Sequence, residues 1–127
     1  MTSASNVVTA FVASVVARDF DTAMAFLSED VVYDNIPIGA VVGREKVRGV
    51  LSGGTTAAAD QIEWVVRHQV AQGNVVMNER IDRFHINGSW LEIPVTGVFV
   101  LQNNLISEWR DYFDLADFRR QREAVGL

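Results

Sequence analysis

Cysteine is absent from the chain, and this absence excludes disulfide bonds, zinc–thiolate sites and a cysteine nucleophile. Histidine is scarce: the only two, His68 and His85, are too isolated to form a metal-binding cluster. We therefore expect neither a metal nor any other cofactor.

Basic residues are too few and too scattered for nucleic acid binding, which needs clustered Lys and Arg. The chain has 11 Lys and Arg against 16 Asp and Glu, for a net charge of −5. No apolar run approaches the length of a membrane span, and the N-terminus lacks the features of a signal peptide. We therefore expect a cytoplasmic protein that binds neither nucleic acid nor membranes.

Apolar residues, in contrast, are abundant. They make up 49% of the 127 residues, which is enough to build the core of one domain, whereas the chain is too short for two ordinary domains. We therefore predict a single domain over residues 1–127.

The first third of the chain has the apolar spacing of helices. Ser5 or Asn6 is a plausible N-cap for the first helix, and Asp19 could cap a second. Residues 43–45 open a third helix, and the Ser-Gly-Gly sequence at 52–54 ends it.

The remainder alternates between polar and apolar residues, as strands do. Asn87-Gly88 is a strong hairpin signal, and Pro94 and Gly97 suggest a bulge or bend within a long strand. Helices followed by strands predict an α+β domain, with a curved mixed or antiparallel sheet that packs on the N-terminal helices. Bends in the strands of such a sheet can make it wrap around a pocket. The predicted strands are 31–35, 62–70, 75–84, 90–101 and 106–112, followed by a closing helix at 114–122.

Polar side chains share apolar faces on several of these strands. Alternation places Tyr33 beside Asn35, Arg80 beside Asp82, and Asp111 on a face with aromatic residues. A buried carboxylate is costly unless it is paired. We hypothesise that Arg80 lies between Asp82 and Asp111, because a guanidinium group can contact two carboxylates at once.

Each of these segments, taken alone, also fits a structural role. Arg80 and Asp82 could form a surface ion pair, and Tyr33 and Asn35 could be an ordinary strand-end tyrosine and a turn residue. The segment 109–114 could cap the following helix. None of the signals is specific separately.

Together, the segments resemble the limonene-1,2-epoxide hydrolase family, a branch of the superfamily named after nuclear transport factor 2 and the SnoaL-like proteins. The resemblance lies in the Trp-Arg-Asp-Tyr-Phe-Asp-Leu run at 109–115, the Glu-Arg-x-Asp motif at 79–82 and the Tyr-x-Asn-x-Pro motif at 33–37. It extends over residues 7–118, and it implies a cone-shaped fold with a deep apolar pocket in a chain that forms homodimers.

The resemblance also implies a role for each polar residue in adding water to a lipophilic epoxide, such as a cyclic terpene-like or steroid-like one. Asp111, Tyr33 and Asn35 would hold the water, and Asp111 would remove its proton as general base. Asp82 would protonate the epoxide oxygen, and Arg80 would bridge both aspartates. Water would attack directly, giving a vicinal diol without a covalent intermediate. The apolar residues expected to line the substrate pocket are Trp64, Val76, Phe84, Ile93, Val95 and Phe113.

Two other functions suit the same architecture. Ketosteroid isomerases and polyketide cyclases abstract a carbon-bound proton and need neutral donors to hold an enolate, which an arginine between two aspartates fits poorly. A domain that only binds small molecules or dimerises would not need convergent polar groups in an apolar pocket.

Overall fold

A computed structural model describes residues 3–127 as layers of helices and sheet. This architecture confirms the predicted α+β class. The elements, in chain order, are α1 (Ala4–Val16), α2 (Phe20–Met24), β1 (Leu27–Asn35), β2 (Gly39–Val42), α3 (Arg44–Ser52), α4 (Gly54–Ala58), β3 (Gln61–Gln72), β4 (Val75–Ile86), β5 (Ser89–Gln102), β6 (Leu105–Tyr112) and α5 (Leu115–Ala124).

The strands form one mixed sheet in the order β2-β1-β6-β5-β4-β3. Four of its strand pairs are antiparallel, but β1 runs parallel to β6. This parallel pairing brings the first strand of the chain beside the last one, with Tyr33 opposite Trp109 and Asn35 opposite Asp111. Residues that are far apart in sequence thereby meet on one face of the sheet.

Helix α1 covers one half of that inner face. Its Phe11 is fully buried and packs edge-on against Trp109, with ring centroids 5.2 Å apart. The cap of this helix differs from the prediction, because the side chain of Ser3, rather than Ser5 or Asn6, accepts the hydrogen bond from the Asn6 amide. The predicted Asp19 cap of α2 is confirmed.

The turns of the sheet follow the predicted chemistry, but its irregularities do not. Asn87 and Gly88 have positive φ angles of 51° and 81° in the β4–β5 hairpin. Of the predicted bulge or bend near Pro94 and Gly97, the bulge was wrong, since residues 75–86 of β4 pair without interruption with residues 89–100 of β5. The register of β5 shifts instead between Val100 and Leu101, in its pairing with β6. Pro94 fits an unbroken strand because it precedes Thr96, where pairing with β6 begins, so one edge of β5 is free there.

The short elements β2 and α4 were not predicted. Strand β2 pairs with β1 at the edge of the sheet, and α4 follows α3 directly after Gly53. None of the helices in residues 3–127 is long and apolar enough to cross a membrane.

Candidate active site

A cavity of about 240 Å³ lies between the inner face of the sheet and helices α3, α4 and α5. Its inner end is lined by the buried residues Tyr33, Asp82 and Asp111, whereas Ile38 and Val50 near its mouth are exposed. The polar groups therefore lie at the closed end of an otherwise apolar space.

The register of the strands explains how Arg80 and Asp82 in β4 reach Asp111 in β6. Strand β5 lies between them, and its Gly97 is opposite both Asn78 of β4 and Asp111 of β6. Because Gly97 has no side chain, the guanidinium of Arg80 can cross over β5 at this point. A Cβ at position 97 would lie 2.6 Å from Nη1 of Arg80.

Arg80 is fully buried, and each of its three guanidinium nitrogens donates at least one hydrogen bond. Its Nε and Nη2 donate to the two carboxylate oxygens of Asp82 at 3.0 and 3.1 Å, and Nη2 also donates to Oδ2 of Asp111 at 3.1 Å. Nη1 donates to Oδ1 of Asn78 at 3.0 Å, and the Trp64 ring centroid lies 4.9 Å from the guanidinium carbon. Two acidic partners offset the cost of burying this cation.

Further donors surround Asp111. Trp109 donates from its indole Nε1 to Oδ1 at 2.8 Å, and the hydroxyl of Tyr33 lies 3.1 Å from Oδ2. The same hydroxyl lies 2.9 Å from Oδ1 of Asn35. Since a tyrosine has a single hydroxyl proton, it can donate to only one of these acceptors at a time. The Tyr33 hydroxyl is thus within hydrogen-bond distance of both Asn35 and Asp111 and links these two side chains.

Burial and the neighbouring charges shift the pKa values of three groups in this cluster. Desolvation raises the pKa of Asp82, and the negative charge of Asp111 adds to this shift against the opposing effect of Arg80. Burial also raises the pKa of Tyr33, again helped by Asp111. Burial opposes the charge of Arg80, but the two aspartates together raise its pKa, so the guanidinium remains protonated. The cluster combines a permanent cation with a carboxyl group that retains its proton more readily than usual.

The model of the limonene-1,2-epoxide hydrolase catalytic domain matches residues 2–123 of the sequence. The chain belongs to the limonene-1,2-epoxide hydrolase family. Membership supports epoxide hydrolysis as its general class of activity.

Similar proteins agree with this assignment. Epoxide hydrolase EphG of Mycobacterium tuberculosis (strain ATCC 25618 / H37Rv) is 32% identical over 112 residues, which cover 87% of this chain and 72% of that protein. A solved structure of an M. tuberculosis epoxide hydrolase of this type has a TM-score of 0.80 at 29% identity, covering 96% of this chain and 90% of that one.

More distant structures share the fold alone. A candidate SnoaL-like polyketide cyclase from Shewanella putrefaciens CN-32 has a TM-score of 0.84 at 15% identity, covering 98% of both chains. The fold predicted from the resemblance, that of the nuclear transport factor 2-like and SnoaL-like proteins, is thereby confirmed.

The cavity of this limonene-1,2-epoxide hydrolase family member includes most of the apolar residues predicted to line it. Trp64, Phe84, Ile93, Val95 and Phe113 all do so. The sixth, Val76, does not, because the inner face of the sheet is shared between the cavity and the core. Val76 lies near the start of β4, in the fully buried core that α1 covers.

Several residues of the site were not identified from sequence. Alternation places Asn78 on the same face as Arg80, and Trp109 on the same face as Asp111, but it does not reveal the hydrogen bonds within these two pairs. Gly97 had a usable signal, since a glycine within a strand often marks a close approach of another group. No local pattern indicated the residues that α3, α4 and α5 contribute to the cavity, which include Leu51, Thr55, Thr56, Phe118 and Arg122.

The substitution Gly97→Ala should reduce epoxide hydrolysis on the order of 10²-fold, which is the effect of displacing a catalytic group by about 1 Å. The new Cβ would meet Arg80, lie 2.9 Å from Oδ1 of Asn78 and lie 3.0 Å from Oδ1 of Asp111. The measurement is kcat/KM, with thermal unfolding recorded in parallel. Gly49→Ala in α3 is the matched control, since a Cβ there would meet no atom within 4 Å apart from its chain neighbours and the backbone of its own helix. Full activity of the Gly97 variant would contradict this account of the crossing.

Proposed function

We propose that this protein adds water to a lipophilic epoxide in one step and releases a vicinal diol. The observation that carries the proposal is the contact of one buried arginine, Arg80, with both Asp82 and Asp111 at the inner end of an apolar cavity. Family membership supports epoxide hydrolysis as the general activity. The substrate class and the roles of the residues are our inference from the geometry.

Asp111 acts as the general base in this proposal. A water molecule bound beside Oδ2 of Asp111, the Tyr33 hydroxyl and the Asn35 side chain would have three polar partners, which is typical of an ordered water. Trp109 holds the other carboxylate oxygen of Asp111 and so fixes the orientation of the base. As the water attacks an epoxide carbon, its proton passes to Asp111.

Asp82 acts as the general acid. An epoxide opens slowly at neutral pH because its leaving group is an alkoxide, and a proton donated as the C–O bond breaks removes this obstacle. The raised pKa of Asp82 suits a carboxyl group that must hold a proton before the reaction. Asp82 lines the cavity, so its proton can reach an epoxide oxygen bound there.

Arg80 positions the carboxyl groups of Asp82 and Asp111, and its positive charge reduces the repulsion between them. Its contacts link the two carboxyl groups across β5, and repulsion between them favours a state in which one is protonated while the other is charged. The proton gained by Asp111 and the proton lost by Asp82 balance over one turnover, and the starting state is restored when Asp111 releases a proton to solvent and Asp82 takes one up.

The walls of the cavity favour a lipophilic substrate. Aromatic and aliphatic side chains of β3, β4 and β5, together with Phe113, surround the space next to the two aspartates. Apolar surface of this kind binds hydrocarbon groups through the hydrophobic effect. Cyclic terpene-like and steroid-like epoxides are the substrate classes that we propose.

The alternative chemistry of ketosteroid isomerases and polyketide cyclases has weaker support. Structures with related folds include a candidate polyketide cyclase, but stabilising an enolate calls for neutral donors in an oxyanion hole. Here the central donor is a charged arginine that is already bonded to Asp82 and Asp111. A domain that only binds ligands would not need an arginine and two carboxyl groups buried together.

The decisive experiment is a panel of cyclic and steroid-like epoxides, assayed for diol in ¹⁸O-labelled water with enzyme in excess. Direct attack by water places the label in the diol during the first turnover. A covalent ester route would instead transfer an unlabelled carboxylate oxygen from the enzyme in that turnover. Turnover of a β,γ-unsaturated ketone without turnover of any epoxide would favour the isomerase alternative.

We also propose that the protein forms a homodimer through the outer face of its sheet. The helices cover the inner face, whereas Val65, Met77 and Tyr112 are exposed on the outer one, and exposed apolar patches often mark protein interfaces. Light scattering should give twice the 14.1 kDa mass of one chain; a monomer mass at all concentrations would contradict the proposal.

A further inference from the structure

Arg122, in α5, lines the cavity but has no part in the proposed acid and base chemistry. It is half-buried at the mouth, beside Thr55 of α4 and Phe118 of its own helix. Its Nη1 donates to the Thr55 hydroxyl, and its guanidinium carbon lies 5.6 Å from the centroid of the Phe118 ring. These contacts hold a positive charge at the edge of an apolar cavity.

This charge has no acidic partner among residues 3–127. Arg48, Arg83 and Arg120 each form an ion pair with a carboxylate, and Arg80 is paired with the two aspartates at the inner end. Other arginines, such as Arg44 and Arg119, also lack an ion pair, but among the described residues that line this cavity Arg122 is the only basic one. The mouth of the cavity therefore offers a free positive charge.

We propose that Arg122 binds the carboxylate of an epoxy acid whose epoxide ring reaches Asp82 and Asp111. A guanidinium carries five N–H donors, and only one hydrogen bond from Arg122 is used by the residues around it. Two parallel N–H groups match the two oxygens of a carboxylate. The inference rests on the proposed function, and within the wider class of lipophilic epoxides it favours those that carry one negative charge at the end opposite the ring.

The rest of the cavity is consistent with such a molecule. Arg122 lies at one end of the cavity and the two aspartates at the other, and the lining also includes Leu51, Phe113 and Phe118. A hydrocarbon segment between the two ends would therefore contact apolar side chains along its length. A carboxylate suits this mouth better than a phosphate, because a single guanidinium with a neighbouring threonine hydroxyl matches a single negative charge.

The test compares epoxyalkanoic acids of different chain length with their methyl esters, using kcat and KM for diol formation. At the length that spans the cavity, the acid should exceed its ester about tenfold in kcat/KM through a lower KM, as expected for a charge-assisted hydrogen bond. Arg122→Gln should remove this preference by raising the KM of the acid about tenfold more than that of the ester. Arg119→Gln, an exposed position on the same helix, makes the same change in net charge and should keep the preference.

A purely structural role of Arg122 would give a different result. In that case Arg122→Gln would reduce turnover of acid and ester equally, and Arg122→Lys would not restore a preference for the acid. Under the proposal, Arg122→Lys retains part of the preference because it keeps the charge. Equal effects on both substrates would therefore overturn the carboxylate site.

Failure of the site can be distinguished from failure of the proposed function. If the wild-type protein converts esters to diols but favours the acid at no chain length, the site is refuted and the hydrolase proposal stands. If no epoxide is converted, the hydrolase proposal fails. Calorimetric titration with saturated acids and their methyl esters then tests the site without catalysis. Equal affinities for acid and ester, or an affinity for the acid that does not change in Arg122→Gln, would overturn the site.

Discussion

Asp82→Asn and Asp111→Asn should each reduce epoxide hydrolysis by about two to four orders of magnitude, the usual contribution of one acid or base step. An asparagine at position 82 has no acidic proton to give to the epoxide oxygen, and one at position 111 cannot accept a proton from water. Both amides still offer an oxygen to Arg80, and each variant keeps the other acidic partner. The fold should therefore survive, as measured by circular dichroism and thermal unfolding.

The control for these variants is Asp34→Asn. Asp34 lies in β1 next to Tyr33 and Asn35 but on the opposite face of the strand, so it should keep close to wild-type activity. Near-full hydrolysis of a good epoxide by either Asp82→Asn or Asp111→Asn would refute the acid–base mechanism.

The pH profile gives a second measure of the role of Asp82. Because burial raises its pKa, Asp82 keeps its proton at low pH and loses it as the pH rises through that value. On the alkaline side of the profile, the logarithm of kcat/KM of the wild-type protein should fall with a slope of about −1 against pH, as expected for the loss of one proton. The residual activity of Asp82→Asn should lack that decline.

Arg80→Met should lower the free energy of unfolding by about 3–5 kcal/mol, which is the cost of removing one partner from a buried ion pair. Asp82 and Asp111 are 6% and 3% exposed, so without the guanidinium two carboxyl groups would remain buried with no cation. Urea-induced unfolding at neutral pH measures the difference. Arg83→Met is the control, because its ion pairs with Glu63 and Glu92 are partly exposed and worth about 0–1 kcal/mol.

Two further measurements separate the loss of charge balance from the loss of packing. Adding Asp82→Asn and Asp111→Asn to Arg80→Met should recover part of the lost stability, because the buried charges are then removed. The Arg80→Met variant should also be less destabilised at low pH, since buried and unpaired carboxyl groups bind protons more readily in the folded state than in the unfolded one. If the loss of stability is the same with the two added substitutions and at low pH, the effect is explained by packing rather than by charge.

The polar residues of the site illustrate how far local pattern reaches. Alternation within β4 correctly predicted that Arg80 and Asp82 share a face, and their hydrogen bonds follow from that proximity. The contact between Arg80 and Asp111 did not follow from alternation, because 31 residues separate them in sequence. That contact was a hypothesis based on the cost of burying unpaired charges, and the structure contains it.

Val76 and Arg122 illustrate what local pattern misses. Val76 shares the inner face of β4 with the site, yet it packs beneath α1 rather than in the cavity. Arg122 belongs to a helix with no buried residues, so its sequence resembles an ordinary solvated helix. Its place in the cavity depends on how α5 packs against the sheet and α4.

The sequence by itself determined the class of elements, the hairpin at Asn87-Gly88 and the face of each strand on which a side chain lies. These properties depend on neighbouring residues, because helix and strand periods and positive φ angles are local. Only the tertiary structure decided that β1 pairs in parallel with β6 and that Gly97 lets Arg80 cross β5. The physical reason is that pairing between distant strands minimises exposed apolar surface and unpaired charge over the whole chain, which no single segment encodes.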